Sequence, residues 1–123
     1  MILVDTSGLI ALLDRGEREH ERVLAAIESE RGPLVVTDFV LAEADYLILR
    51  RLGREAEQAF IDQLIAGVFL REGIGDPDLR RASEIASGMV DQEIGLTDAT
   101  LMALTDRMGT RKVLTLDHRH FGL

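Results

Sequence analysis

The chain contains no cysteine. That absence removes disulfides, thiolate zinc sites and cysteine nucleophiles together, and it fits a reducing compartment, so a cytoplasmic protein is expected. No apolar run approaches the roughly 18–20 residues that a bilayer-spanning helix needs, and no membrane role is expected. The opening MILVD has no basic segment and meets an acid at residue 5, unlike a secretory signal. Repeats, low-complexity tracts and linkers are missing too. With 123 residues there is length for one ordinary domain, expected over residues 1–123, and too little for two. Lysine is nearly absent: 13 of the 14 basic residues are arginine, which reads as GC-rich codon usage rather than a phosphate code.

Hydrophobic residues make up 46% of the chain, the share of an ordinary globular fold, which argues against disorder. The formal charge is −8, so the chain is a poor general nucleic-acid sponge. The charge is uneven. Residues 107–123 set Arg107, Arg111, Lys112 and Arg119 against Asp117 alone. An acidic body with a basic C-terminal end can hold a phosphate polymer provided metal ions neutralise part of the acid.

The runs at 2–4 (ILV), 34–36 (LVV), 68–70 (VFL) and 113–116 (VLTL) are short and almost wholly apolar, as strands buried on both faces are. Helical patterns lie between them. One is capped by Thr6 or Ser7 and reaches residue 13; one covers 17–30 with an inward stripe of Val23, Leu24 and Ile27. A third is capped by Thr37 or Asp38 and stopped by Gly53; a fourth covers 54–66 with Ala56, Ala59, Phe60 and Leu64 inward. Asp76-Pro77 starts a fifth, inward through Leu79, Ala82, Ile85, Ala86 and Met89. Thr97 caps a sixth, closed by Gly109. Strands alternating with helices predict a three-layer α/β domain with a short, mainly parallel central sheet.

Ligands of such sheets bind beyond the carboxyl ends of the strands. The first and last strands each end in an acid, Asp5 and Asp117; if the strands are parallel neighbours, both emerge at one rim. Taken singly, each reads as a turn or cap residue. Glu43 falls within the stripe Phe39, Val40, Tyr46 and Leu47, where an ionised carboxylate is costly unless it is bonded to metal or paired, for instance with Arg50. Asp98 opens a helix whose face continues through Leu101, Met102 and Thr105, and a first-turn acid also complements a helix dipole. Asp91, just before Gly95, is an outer candidate. Four acids on four elements repel one another unless a hard cation binds them. All-oxygen donors without cysteine suit Mg2+ or Mn2+, ions that polarise phosphoryl oxygens and lower the pKa of water. His20 reads as a packed histidine. His118 and His120 beside Asp117 are a weak zinc signal and read as surface or as facing a bound phosphate polymer. Tyr46, Leu47, Phe60 and Phe69 read as core, Phe121 as a packing residue, and Arg50, Arg51 and Arg54 as a solvated helix end.

The blocks LVDTS, VLAEAD, DQEIGLTDA and LTLDHRHF, in this order and spacing, resemble the PIN-domain nucleases. Within these the chain is most similar to the VapC toxins of bacterial toxin–antitoxin pairs. The resemblance implies an α/β/α PIN-like nuclease domain and a Mg2+- or Mn2+-dependent endoribonuclease. By motif, Asp5, Glu43, Asp98 and Asp117 match the family's acidic quartet, with Asp5 and Asp98 as the leading metal ligands. Thr6, Ser7 and Thr115 would orient water or a ligating carboxylate, with Asp91 in support. Arg111, Lys112 and Arg119 are candidates for flanking phosphates. The partners implied are an RNA substrate, a VapB-like antitoxin that covers the pocket, a second copy of the chain, and operator DNA reached through the antitoxin. The alternatives are a PIN-like RNA-processing nuclease without a toxin role, and a non-catalytic α/β interaction or receiver-like module. A haloacid-dehalogenase phosphatase needs an acid two residues after Asp5, where Ser7 stands. A receiver needs an acid ending a middle strand, where Val36 and Leu70 stand.

Overall fold

In the computed structural model, residues 1–116 are described. They contain four strands, β1 (Ile2–Val4), β2 (Leu34–Val36), β3 (Leu70–Arg71) and β4 (Val113–Leu114). Six α-helices connect them: α1 (Thr6–Leu13), α2 (His20–Ser29), α3 (Asp38–Leu52), α4 (Arg54–Ile65), α5 (Asp76–Gly88) and α6 (Leu96–Met108). The expectations for Asp117, His118, Arg119, His120 and Phe121 lie outside the described residues.

All three pairings are parallel and the strand order is β3-β2-β1-β4. Leu3 pairs with Val113 and Val4 with Leu114, so β1 and β4 are parallel neighbours in register. Side chains alternate across a strand. Ile2, Val4, Val36 and Leu114 face one way, into a core shared with α1, α2, α3 and α4. Leu3, Val35 and Val113 face the other way, onto Leu101 and Leu104 of α6. This two-sided burial explains the unbroken apolar runs and produces the three α/β/α layers anticipated from them. Helix α5 forms an outer contact on α6 through Ala82, Ala99 and Ala103.

Local chemistry sets the helix ends. Thr37 caps α3, its hydroxyl accepting from Val40 N at 3.2 Å. Gly109, at φ 66, ends α6 in the left-handed conformation glycine adopts freely. Helix α6 begins at Leu96 with Gly95 as its cap, two residues before the cap expected at Thr97. Helix α2 starts at His20 rather than 17, because Glu17 closes a turn: its N–H bonds Asp14 O and its carbonyl accepts from His20 N, both at 3.0 Å. Strand β3 is shifted to Leu70–Arg71 and is an edge strand, with Leu70 and Val68 about half exposed.

Three inward assignments are corrected. Leu79 is 40% exposed and Ala59 is exposed. The buried row of α4 runs Ala56, Phe60, Leu64 at i, i+4, i+8, and Ala59 lies off it. Tyr46 is 58% exposed, with Arg50 stacked 5.5 Å from its ring centroid. Phe60 and Phe69 are core as expected, and Leu47 packs against that core half-buried. His20 is packed as expected, its Nδ1 lying 2.8 Å from Ala11 O.

Candidate active site

The residues after β1 and β4 leave the sheet side by side, with Asp5 N donating to Leu114 O at 3.1 Å. Asp5 is 4% exposed and caps α1. Its Oδ1 accepts from Gly8 N at 2.7 Å and from Ser7 Oγ at 2.8 Å. Two donors on one oxygen fix the carboxylate's orientation and hold a charge that burial would otherwise make costly. Ser7 in turn ties α1 to the end of β4: its Oγ accepts from Leu116 N at 2.9 Å and lies 3.4 Å from Thr115 Oγ1. The approach is so close that a Cβ on Gly8 would stand 2.2 Å from Leu114 O. Glycine is therefore required there by the strand backbone, not by φ.

Beside this junction is an open cavity of about 230 Å³, lined by Thr6, Ser7, Ile10, Glu17, Glu43, Leu47, Arg51 and Leu116. Thr6 is 8% exposed, and its Oγ1 has no hydrogen-bond partner among the described residues. An unsatisfied buried hydroxyl is uncommon and costs free energy unless a ligand or water completes it. A second cavity, about 490 Å³, continues past β4 between Arg18, Arg22 and Val23 on one side and residues 113–116 on the other. Glu17 and Leu116 line both.

Glu43 corrects the sequence reading. It is exposed and outside the core stripe, because the core phase of α3 is carried by Val40, Leu41, Ala44 and Ile48. Glu43, Leu47 and Arg51 form a separate i, i+4, i+8 row on the flank of that face, and this row lines the cavity. The suggested pairing with Arg50 does not form; Arg50 lies over Tyr46. Asp98 is half-buried in the first turn of α6, one turn before Leu101, on the sheet face opposite α3. The short link 109–112 returns α6 to the amino end of β4, so α6 runs back against the strands and its first turn lies away from that end.

Other expected residues stand elsewhere. Asp91 is exposed on a short 3-10 turn (Val90–Gln92) and lines neither cavity. Arg111 and Lys112 precede β4, at the amino edge of the sheet. There the Lys112 carbonyl accepts from Leu3 N, and its Nζ pairs with Glu30 at 3.2 Å. Glu30 also holds the Met1 amine at 2.8 Å. With that amine, Gly32 N and Lys112 around it, its carboxyl is lowered to about 2. Lys112 is thus committed to a structural cluster at the edge opposite Asp5. The reverse error concerns Glu17 and Arg51, which the sequence reading did not assign to a site and which line the cavity. Glu17 sits in an aperiodic turn and carries no sequence signal. Arg51 carries one, its i+8 spacing from Glu43.

The chemistry of the donors fits a hard cation. Apart from Arg51, the polar side chains lining the smaller cavity offer oxygen only, as does adjoining Asp5. Among the described residues no three His, Asp or Glu side chains form a ready cage. Mg2+ does not demand one, since it usually keeps several waters and takes one or two carboxylates.

Residues 2–122 match the PIN domain family. The chain belongs to the PIN domain family. Among curated proteins it is 40% identical over 120 residues to Ribonuclease VapC26 of Mycobacterium tuberculosis, covering 98% of this chain and 89% of that one. Its fold matches the crystal structure of Mycobacterium tuberculosis VapC20, described as a sarcin-ricin loop cleaving toxin. The TM-score there is 0.89 at 24% identity, covering 99% of this chain and 94% of that one. It also matches DNA-bound VapBC from Salmonella typhimurium, at TM-score 0.70 and 16% identity, over 100% of this chain and 92% of that one. No helix among the described residues is long and apolar enough to cross a membrane.

Proposed function

We propose that residues 1–123 form one metal-dependent endoribonuclease unit, the toxin of a toxin–antitoxin pair, which hydrolyses RNA phosphodiester bonds. The observation that carries this reading is the buried Asp5 carboxylate, clamped by Gly8 N and Ser7 Oγ beside the oxygen-lined cavity. The ribonuclease named above, alike over nearly the whole chain, supports it.

Asp5 and Asp98 are the proposed direct ligands of Mg2+ or Mn2+, and Glu43 and Asp117 complete the acidic set directly or through water. Bound there, the ion supplies Lewis acidity toward a phosphoryl oxygen and toward water. The protein's own contribution is orientation. Ser7 and Gly8 fix the Asp5 carboxylate, Thr115 braces Ser7, and the Thr6 hydroxyl offers an oxygen for an ordered water. Glu43, an exposed residue of the cavity lining, is accessible to incoming substrate and water.

A VapB-like antitoxin covers this cavity in the proposed complex, which binds operator DNA through the antitoxin. A second copy of the chain makes a homodimer, for which the exposed Tyr46, Ile65, Val68 and Leu70 leave apolar surface.

Incubation of the purified chain with total RNA tests the enzyme reading. Cleavage is expected with Mg2+ or Mn2+ and not with EDTA. Asp5→Asn should lower it on the order of 100-fold or more while thermal unfolding stays near wild type. Full activity in Asp5→Asn overturns the assignment. Growth arrest on expression in a bacterium, relieved by the neighbouring reading frame, tests the toxin role; normal growth removes it.

A further inference from the structure

A phosphate polymer approaching a −8 chain needs cations at the groove itself, and the fold has already committed most of those nearby. In the cluster at the end of α3, Arg54 pairs with buried Glu57 at 2.9 Å and Arg50 lies over Tyr46. Arg51 makes neither kind of contact among the described residues, and it lines the smaller cavity on the same helical row as Glu43. Past β4 the same division recurs. Arg22 pairs with Glu19 at 2.9 Å, while Arg18 lines the larger cavity with no ion pair among the described residues. The two cavities meet at Glu17 and Leu116, beside the Ser7 junction with Asp5.

We propose that Arg51 and Arg18 are substrate-binding residues that grip the phosphates on either side of the scissile position, so that the RNA strand runs across the end of β4. The inference rests on the nuclease reading above and replaces the roles expected for Arg111 and Lys112. An arginine held by no carboxylate meets a phosphate without first breaking an ion pair, and its planar fork matches two phosphate oxygens.

The test is fluorescence anisotropy of a short fluorescein-labelled single-stranded ribo-oligonucleotide, with the full chain carrying Asp5→Asn to prevent cleavage. Adding Arg51→Ala or Arg18→Ala should weaken binding roughly three- to tenfold and lower the slope of log K against log salt by about 0.7 each. Arg51→Lys should restore the slope. Arg50→Ala, one residue away, should change neither. In the cleaving wild-type background, Arg51→Ala should raise KM more than it lowers kcat. Equal affinity and slope for Arg51→Ala and Arg50→Ala, or no RNA binding at all, overturns the inference. Binding that depends on Arg51 in a wild-type chain that cleaves no RNA keeps the inference and removes the nuclease reading.

Discussion

Gly8→Ala pits two physical effects against each other. Helix propensity alone favours alanine inside α1 by about 1 kcal/mol. Packing opposes it. The new Cβ would stand 2.2 Å from Leu114 O and 2.8 Å from Leu114 C, both backbone atoms of β4. An ordinary C···O contact is about 3.3 Å or more, so α1 and β4 must separate by roughly 1 Å. Overpacking of this kind costs about 1–3 kcal/mol, and losing the bond from Leu116 N to Ser7 Oγ adds about 1 kcal/mol. The net expectation is a loss of about 2 kcal/mol, or roughly 5–10 °C in Tm for a chain of this size. Urea unfolding should show a lower midpoint with an unchanged m-value. Gly88→Ala is the matched control: its Cβ meets nothing within 4 Å, so stability should hold or rise by up to about 1 kcal/mol. A Gly8→Ala midpoint at or above wild type would refute the packing argument. RNA cleavage should fall with the midpoint in Gly8→Ala and stay unchanged in Gly88→Ala, because only the first moves Ser7 away from the end of β4.

Ser7→Ala should lower stability by about 1–2 kcal/mol in urea titration, since it removes the hydroxyl shared by Asp5 and Leu116 N; an unchanged midpoint would show the junction is held elsewhere. Glu30 titrates at about 2 in the folded chain against 4.5 ordinarily, so its contribution is full above pH 4.5 and fades as pH falls toward 2. The Tm gap between wild type and Glu30→Gln should therefore close over that window, and a gap constant down to pH 2 would contradict it. Arg107 joins α6 to the first turn of α5 and to the segment after β3, bonding Asp78 at 2.9 Å, Glu72 at 3.0 Å and Gly73 O at 3.0 Å. Arg107→Ala should cost about 1–2 kcal/mol, discounted for the arginine's partial exposure, with Asp78→Ala in the same chain recovering part of it. Additive losses would place the effect outside that pair.

How far the sequence could be read depended on whether a residue's role was set by its neighbours in the chain or by distant ones. The strands were legible because burial on two faces leaves an unbroken apolar run, and β1 and β4 show one. The phase of α3 was not. Its core face is built from small and branched residues, Val40, Ala44 and Ile48, because α1 packs closely against it. The larger Phe39 and Tyr46 drew the predicted stripe around the helix, and Glu43 went with it. Partner choice among the arginines was written in local spacing that the helix-end reading passed over: Arg50 stands four residues after Tyr46, Arg54 three before Glu57, and Arg51 eight after Glu43. Lys112 was misplaced because Glu30, its partner, lies 82 residues away.

Asp5 shows why the cap and site readings of a strand-end acid compete in a sequence and not in a structure. Capping needs one acceptor oxygen, and Oδ1 fills that role toward Gly8 N. The same bond, with Ser7 Oγ, fixes the carboxylate plane, and a metal ligand must be fixed before the ion arrives if binding is not to cost conformational entropy. In the proposed function, the cap is therefore part of the site's construction. Asparagine keeps an acceptor for Gly8 N and removes the charge, so Asp5→Asn separates the two roles: fold stability follows the oxygen, and catalysis follows the charge.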